Sequence, residues 1–130
     1  MNPSQLEEHH VTQATGTMTH IEIPADDVDR AKRFYAAVAG WQFEAMDGFP
    51  DYWLFQSEPE RGGAIGTRGG SIGKVVRHFV NVDRMEDAIA AAEQNGGRLV
   101  EEPTEIPGQG RSAVVLDSEG NELGLWQDLT

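Results

Sequence analysis

"HIEIPADDVDRAKRFYAAVAGWQF", His20 to Phe43, changes its apolar period once, and that change decides the fold. "THIEIP" alternates, so it predicts a strand with Ile21 and Ile23 on one face and His20 and Glu22 on the other. Asp26 and Asp27 then offer helix caps and suit the positive end of a helix dipole. Val28, Ala31, Tyr35 and Val38 recur at helical spacing until Gly40 stops the run. "WQFEAM", "DYWLFQ" and "GAIGT" follow as three short strands rich in aromatic and branched residues, separated by "DGFP" and "SEPERG" turns.

From Val75 the same order begins again. "VVRHFVNV" is a predicted strand, and "DRMEDAIAAAEQNGG" a helix with Met85, Ala88, Ile89 and Ala92 on one face. "GRLVEE", "RSAVVLD" and the last stretch, "DSEGNELGLWQ", complete the strands. A constant offset places Ile23 on Val80, Asp29 on Glu86, Ala31 on Ala88, Gly40 on Gly97 and Phe43 on Val100. The expected fold is therefore α+β, with two tandem βαβββ modules. Each module has one helix for four strands, so the helices cover the outer face of a cupped mixed sheet and leave the inner face concave. The expected division is a leader over 1–17 and one domain over 18–128, made of module 1 (18–67), a linker (68–74) and module 2 (75–128).

With 130 residues, a formal charge of -12 and no cysteine, the chain bounds its own chemistry. One domain with a real core is expected. The acidic balance repels phosphate backbones and anionic membranes, so neither nucleic acid nor a membrane is an expected partner. Thiolate metal sites, disulfides and cysteine nucleophiles are excluded, and a cytoplasmic location is expected.

Three motifs fail on spacing. "GTRGGSIGK" lacks the first glycine of a phosphate loop, where Arg68 stands, and Val75 follows Lys74 where Ser or Thr is needed; a flexible connector explains its glycines. No serine sits in a glycine-flanked strand-to-helix elbow. His9 and His10 are adjacent in the leader and hold no fixed metal geometry.

The run "D-x-D-R-A-x-x-F-Y" from Asp27 to Tyr35 and the "D-x-x-G-N" turn from Asp117 to Asn121 resemble the vicinal oxygen chelate superfamily. That superfamily includes glyoxalase I, bleomycin-resistance proteins and extradiol dioxygenases, and the resemblance spans about residues 18–128. It implies the cupped fold and a homodimer, and it leaves activity open between metal enzymes and metal-free binding proteins. In metal-dependent members, inward residues of the first and last strand of each module converge on a divalent ion. The resemblance puts these positions on His20, Gly66, Arg77 and Gly124. Only His20 can ligate, because a guanidinium stays protonated and repels a cation. Gly66, Arg77 and Gly124 thus read as vacated seats, and no cofactor is expected. A one-residue register change would turn His78 inward and offer His20, His78 and Glu122 to Ni, Zn, Fe or Mn, at the cost of exposing Val80 and Val82 to the cup. Otherwise His78 packs beside the second helix.

In the preferred register the cup carries His20, Glu22, Arg77, Phe79, Asn81, Glu122 and Trp126. Trp53 and Phe55 stand open between cup and core, and complete the candidate ligand-binding set. Aromatic rings for stacking and Arg77 for a carboxylate or phenolate suit a small, flat or anionic organic molecule. Alternatively Arg77 pairs with Glu22 or Glu122 and closes the cup. Catalysis by a lyase or oxidoreductase and a purely structural dimeric module are the competing functions.

Overall fold

The computed structural model describes residues 14–129; His9 and His10 lie outside them. The elements run β1 (Met18–Ala25), α1 (Val28–Ala39), β2 (Glu44–Met46), β3 (Phe49–Glu58), β4 (Arg61–Thr67), β5 (Arg77–Asn81), α2 (Met85–Gln94), β6 (Arg98–Ile106), β7 (Gly110–Leu116) and β8 (Glu122–Asp128). All eight strands form one mixed sheet in the order β2-β3-β4-β1-β5-β8-β7-β6. The order is two βαβββ modules laid edge to edge, joined where β1 pairs antiparallel with β5. No helix among the described residues is long and apolar enough to cross a membrane.

Helix α1 starts where Asp27 accepts a hydrogen bond from the Arg30 amide at 3.0 Å. It stops at Gly40, whose φ of 75° is left-handed and cheap only for glycine. The helices cover one face of the sheet and produce two cores. Under α1 lie Ile23, Ala25, Phe55 and Ile65, with Ile21, Val28, Ala31 and Tyr35 packed around them. Under α2 lie Met85, Ala113, Val115 and Leu125, with Ala88, Ile89 and Ala92 against them. Val38, expected on the packed face of α1, is 69% exposed.

Two predicted elements change shape. Only Glu44–Met46 of "WQFEAM" pairs as a strand. Trp41 instead stacks on Tyr35 at 5.3 Å and on Phe55 at 4.1 Å, so packing on the core displaces sheet pairing. The connector is also held, contrary to the flexible link expected from its glycines. Arg68 bridges to Ile72, bonds Asp26 at 2.8 Å and donates to the Lys74 carbonyl, while Ile72 is buried. Ahead of β1, the end of the expected leader is tied as well, because Gly16 and Thr17 exchange backbone hydrogen bonds with Asn81.

Candidate functional site

Alternation sends Ile21 and Ile23 into the core under α1, so His20 and Glu22 face the hollow. Across the module boundary, His20 pairs with Phe79, Ile21 with His78 and Glu22 with Arg77. Arg77 and Phe79 therefore face the hollow with His20, whereas His78 shares the helix-side face with Ile21 and is exposed. The register that would gather His20, His78 and Glu122 is not adopted. Nor is His78 the packed histidine expected beside the second helix. Slipping the strand would push Val80 and Val82, which pack on the second core, into the hollow.

The hollow encloses about 790 Å³ and takes lining from both modules. Four strand steps separate β1 from β6, and three separate β5 from β6. At about 4.8 Å per step β5 and β6 would stand roughly 14 Å apart in a flat sheet, a gap bridged only by a long arginine and a glutamate both laid flat along the surface. Yet Arg77 Nη2 reaches Glu101 of β6 at 3.1 Å. Curling of the sheet brings them together.

Arg77 sits at the centre of this closure, 5% exposed. It donates to Glu122 from Nε at 3.0 Å and Nη2 at 2.7 Å, to Glu101 from Nη2, and to Glu22 from Nη1 at 3.4 Å. Burial opposes the charge of the guanidinium, but the Glu122 hydrogen bond and the charges of Glu101, Glu122 and Glu22 outweigh it and hold Arg77 more firmly protonated than usual. The expectation that Arg77 reaches for a ligand's carboxylate is thereby corrected: the chain's own carboxylates engage it. Pairing with Glu22 and Glu122 was the competing expectation, while Glu101 was missed. No local pattern marks Glu101, since it comes from a strand three steps from β5 in the sheet and 24 residues away in the chain.

A second chain of bonds continues from Glu22. Tyr52 gives its hydroxyl proton to Glu22 Oε2 at 2.7 Å, and His20 Nε2 lies 2.8 Å from the same hydroxyl oxygen. One hydroxyl carries one proton, so His20 donates from Nε2 and is the Nε2–H tautomer. Burial holds His20 far below the usual imidazole range, at about 4, so it is neutral near pH 7. Burial also raises the Tyr52 hydroxyl, with the Glu22 charge and hydrogen bond adding to it. Glu22 is raised chiefly by burial, against the lowering effects of Tyr52 and Arg77.

Tyr52, which alternation alone does not mark, shows which face of β3 lines the hollow. Tyr52 and Leu54 line it. Trp53 and Phe55 point the other way: Phe55 is in the core under α1, and the Lys32 ammonium of α1 stands 3.5 Å over the Trp53 ring. Neither lines this hollow, contrary to the cup position expected for them. The distal end holds Asn81 and Trp126 as expected, joined through Asp128. Asn81 donates to it at 3.1 Å and Trp126 Nε1 at 2.8 Å. Thr19 donates to Asn81 at 3.2 Å.

The two glycine seats are filled by neighbours. A Cβ at Gly124 would collide with the Phe79 ring, which lies flush over the glycine. His20 meets that ring edge-on at 5.5 Å. At Gly66 a Cβ would collide with Ser71 and the Asp51 carbonyl, so the connector closes this position. The register also shifts the first-module counterpart of Gly124. Gly124 pairs with Phe79 as Ala64 pairs with Glu22, and Glu22 is the repeat equivalent of Phe79, so Ala64 rather than Gly66 matches Gly124. Alanine has no donor either. Among the described residues, no three His, Asp or Glu side chains are grouped so as to hold a metal ion.

Comparison with known proteins gives a consistent set of likenesses. Residues 17–56 match the family model described as bleomycin resistance protein-like N-terminal. A glyoxylase-like domain-containing protein of Didymella fabae is 30% identical over 115 residues, covering 82% of this chain and 89% of the relative. A putative glyoxylase of Mycobacterium tuberculosis is 30% identical over 109 residues, and there the match spans only 42% of the relative's length. Among solved structures, methylmalonyl-CoA epimerase from Mycobacterium tuberculosis superposes with a TM-score of 0.63 at 16% identity, over 94% of this chain and 95% of that one. A glyoxalase/bleomycin resistance protein/dioxygenase superfamily member from Vibrio splendidus does so at 0.63 and 13% identity, over 88% and 100%. At such identities the structural likeness speaks for the fold alone.

Proposed function

The chain belongs to the glyoxalase/bleomycin-resistance/dioxygenase superfamily, and from that premise we propose that it binds a small planar organic molecule, neutral or positively charged, in its cup without a metal ion. The observation that carries this reading is the state of Arg77. It occupies one of the positions that the family resemblance assigns to a metal ligand, and three carboxylates of the chain already hold it. A guanidinium at that place repels a divalent ion and cannot donate an electron pair to one.

The charge of the lining supports the choice of ligand. Glu22, Glu60, Glu101 and Asp128 line the hollow and Glu122 stands beside it, against one lining arginine, Arg77, an excess of negative charge that disfavours an anion. Met46, Phe49, Leu54, Val114 and Trp126 supply apolar and aromatic wall, and about 790 Å³ is of the size that takes a drug-sized molecule. A hollow of this volume also argues against a module built only for assembly. Both halves of one chain line it, so a second copy is not required to wall it.

The test uses three probes with one ring system: N-methylacridinium, acridine and acridine-9-carboxylate. Quenching of tryptophan fluorescence is expected to saturate with the cation or the neutral ring at lower concentration than with the anion. A Trp126→Phe variant loses much of that signal, and a chelator leaves it unchanged. Preference for the carboxylate, or stoichiometric metal in untagged protein together with loss of binding on chelation, would overturn the reading.

A further inference from the structure

Three strands deliver one carboxylate each to the same guanidinium: Glu22 from β1, Glu101 from β6 and Glu122 from β8. We infer that Arg77 acts as the cup's built-in cation, gathering these carboxylates as a divalent ion would, and that replacing it with a short neutral side chain opens a three-carboxylate site for a hard divalent cation. This inference rests on the metal-free reading of the native cup and adds what keeps the cup metal-free.

The geometry around the guanidinium carries it. Glu122 and Glu101 oxygens lie 2.7 and 3.1 Å from Nη2, and Glu22 lies 3.4 Å from Nη1. Oxygen ligands sit about 2.0–2.6 Å from Mg²⁺ or Ca²⁺, so an ion taking the place of the guanidinium would draw Glu122 and Glu101 inward and need Glu22, now held on Nη1, to swing across to complete the set. Glu22 is held from behind, because its other oxygen accepts the Tyr52 hydroxyl, which in turn takes the His20 hydrogen bond. Such backing orients a ligand. The connector closes the opposite side: a Cβ at Gly73 would collide with Arg77 Nη2, so the backbone there lies directly on the guanidinium. Without the arginine, three carboxylates would face one another with no internal counter-charge, and an all-oxygen set favours Mn²⁺, Mg²⁺ or Ca²⁺ over softer ions.

The experiment titrates Mn²⁺ into untagged wild type, Arg77→Ala, Arg77→Lys and Arg77→Ala/Glu122→Gln, following the spin resonance of the free aquo ion and the melting temperature. Arg77→Ala should bind one Mn²⁺ more tightly than wild type, on the order of ten-fold or more. Its melting temperature should rise with Mn²⁺, while Arg77→Lys behaves as wild type and the double variant loses the gain. The inference fails if Arg77→Ala gains no affinity, if Arg77→Lys gains as much, or if Arg77→Ala stays unfolded with Mn²⁺ in excess. Mn²⁺ binding by wild type as tight as by Arg77→Ala defeats the metal-free reading itself, whereas absence of binding in both defeats only the inference.

Discussion

His20 meets the Tyr52 hydroxyl at its Nε2 and the edge of the Phe79 ring, and Glu22 lies one hydrogen bond further on. Its tendency to stay neutral has a definite consequence for acid stability. The folded value of about 4 lies below the ordinary 6.5, so between these values the unfolded chain takes a proton that the folded chain refuses. The contribution is complete above pH 6.5 and is lost as the pH falls to about 4, amounting to something on the order of 3 kcal/mol. Glu22 has the opposite sign, because its raised value favours the folded state as acid is added. The comparison that isolates His20 is therefore wild type against His20→Asn in urea denaturation at pH 7.5 and pH 5. Wild type should lose more stability than the variant over that interval, and equal losses would mean that the buried imidazole is not the group responsible. The inward direction of His20 was legible in the alternation of "THIEIP"; its hydrogen-bond partner was not, because Tyr52 comes from a strand 32 residues away.

Among the elements, the β5–β8 pair shows how two strands share one space. Gly124 pairs with Phe79 and gives its side-chain volume to that ring. Gly124→Ala should cost about 1–3 kcal/mol, the usual penalty for forcing a methyl group into a filled interior. In a Phe79→Ala background the same substitution should cost little, and unfolding midpoints of the four proteins measure the coupling. A cost unchanged by Phe79→Ala would mean that backbone, not the ring, excludes the methyl. The absence of a side chain at 124 could be read from the sequence, but its replacement by the phenyl ring could not. Strand β3 illustrates the same limit: alternation in "DYWLFQ" separates Tyr52 and Leu54 from Trp53 and Phe55, and either pair is apolar enough for the core. Lys32 and Trp41, both outside the strand, fill the helix side against Trp53 and Phe55 and settle the choice.

On the scale of the whole molecule, a formal charge of -12 on 130 residues is a standing self-repulsion. Raising NaCl from about 10 to about 150 mM shortens the screening length to roughly 8 Å, so the melting temperature should rise. A fall would show that ion pairs such as Arg111–Glu86 and Arg68–Asp26 outweigh the repulsion. The two-module order, the two helices with the cap of α1, and the inward faces of β1 and β5 were determined by the sequence itself, because periods of 2 and 3.6 follow from backbone geometry that each segment carries alone. The curl of the sheet belongs to no single segment. Only the tertiary structure decided that Glu101 of β6 meets Arg77 of β5, that the connector closes over Gly66, and that Phe79 covers Gly124. Each of these depends on how distant strands twist against one another, and that is a sum over the whole sheet.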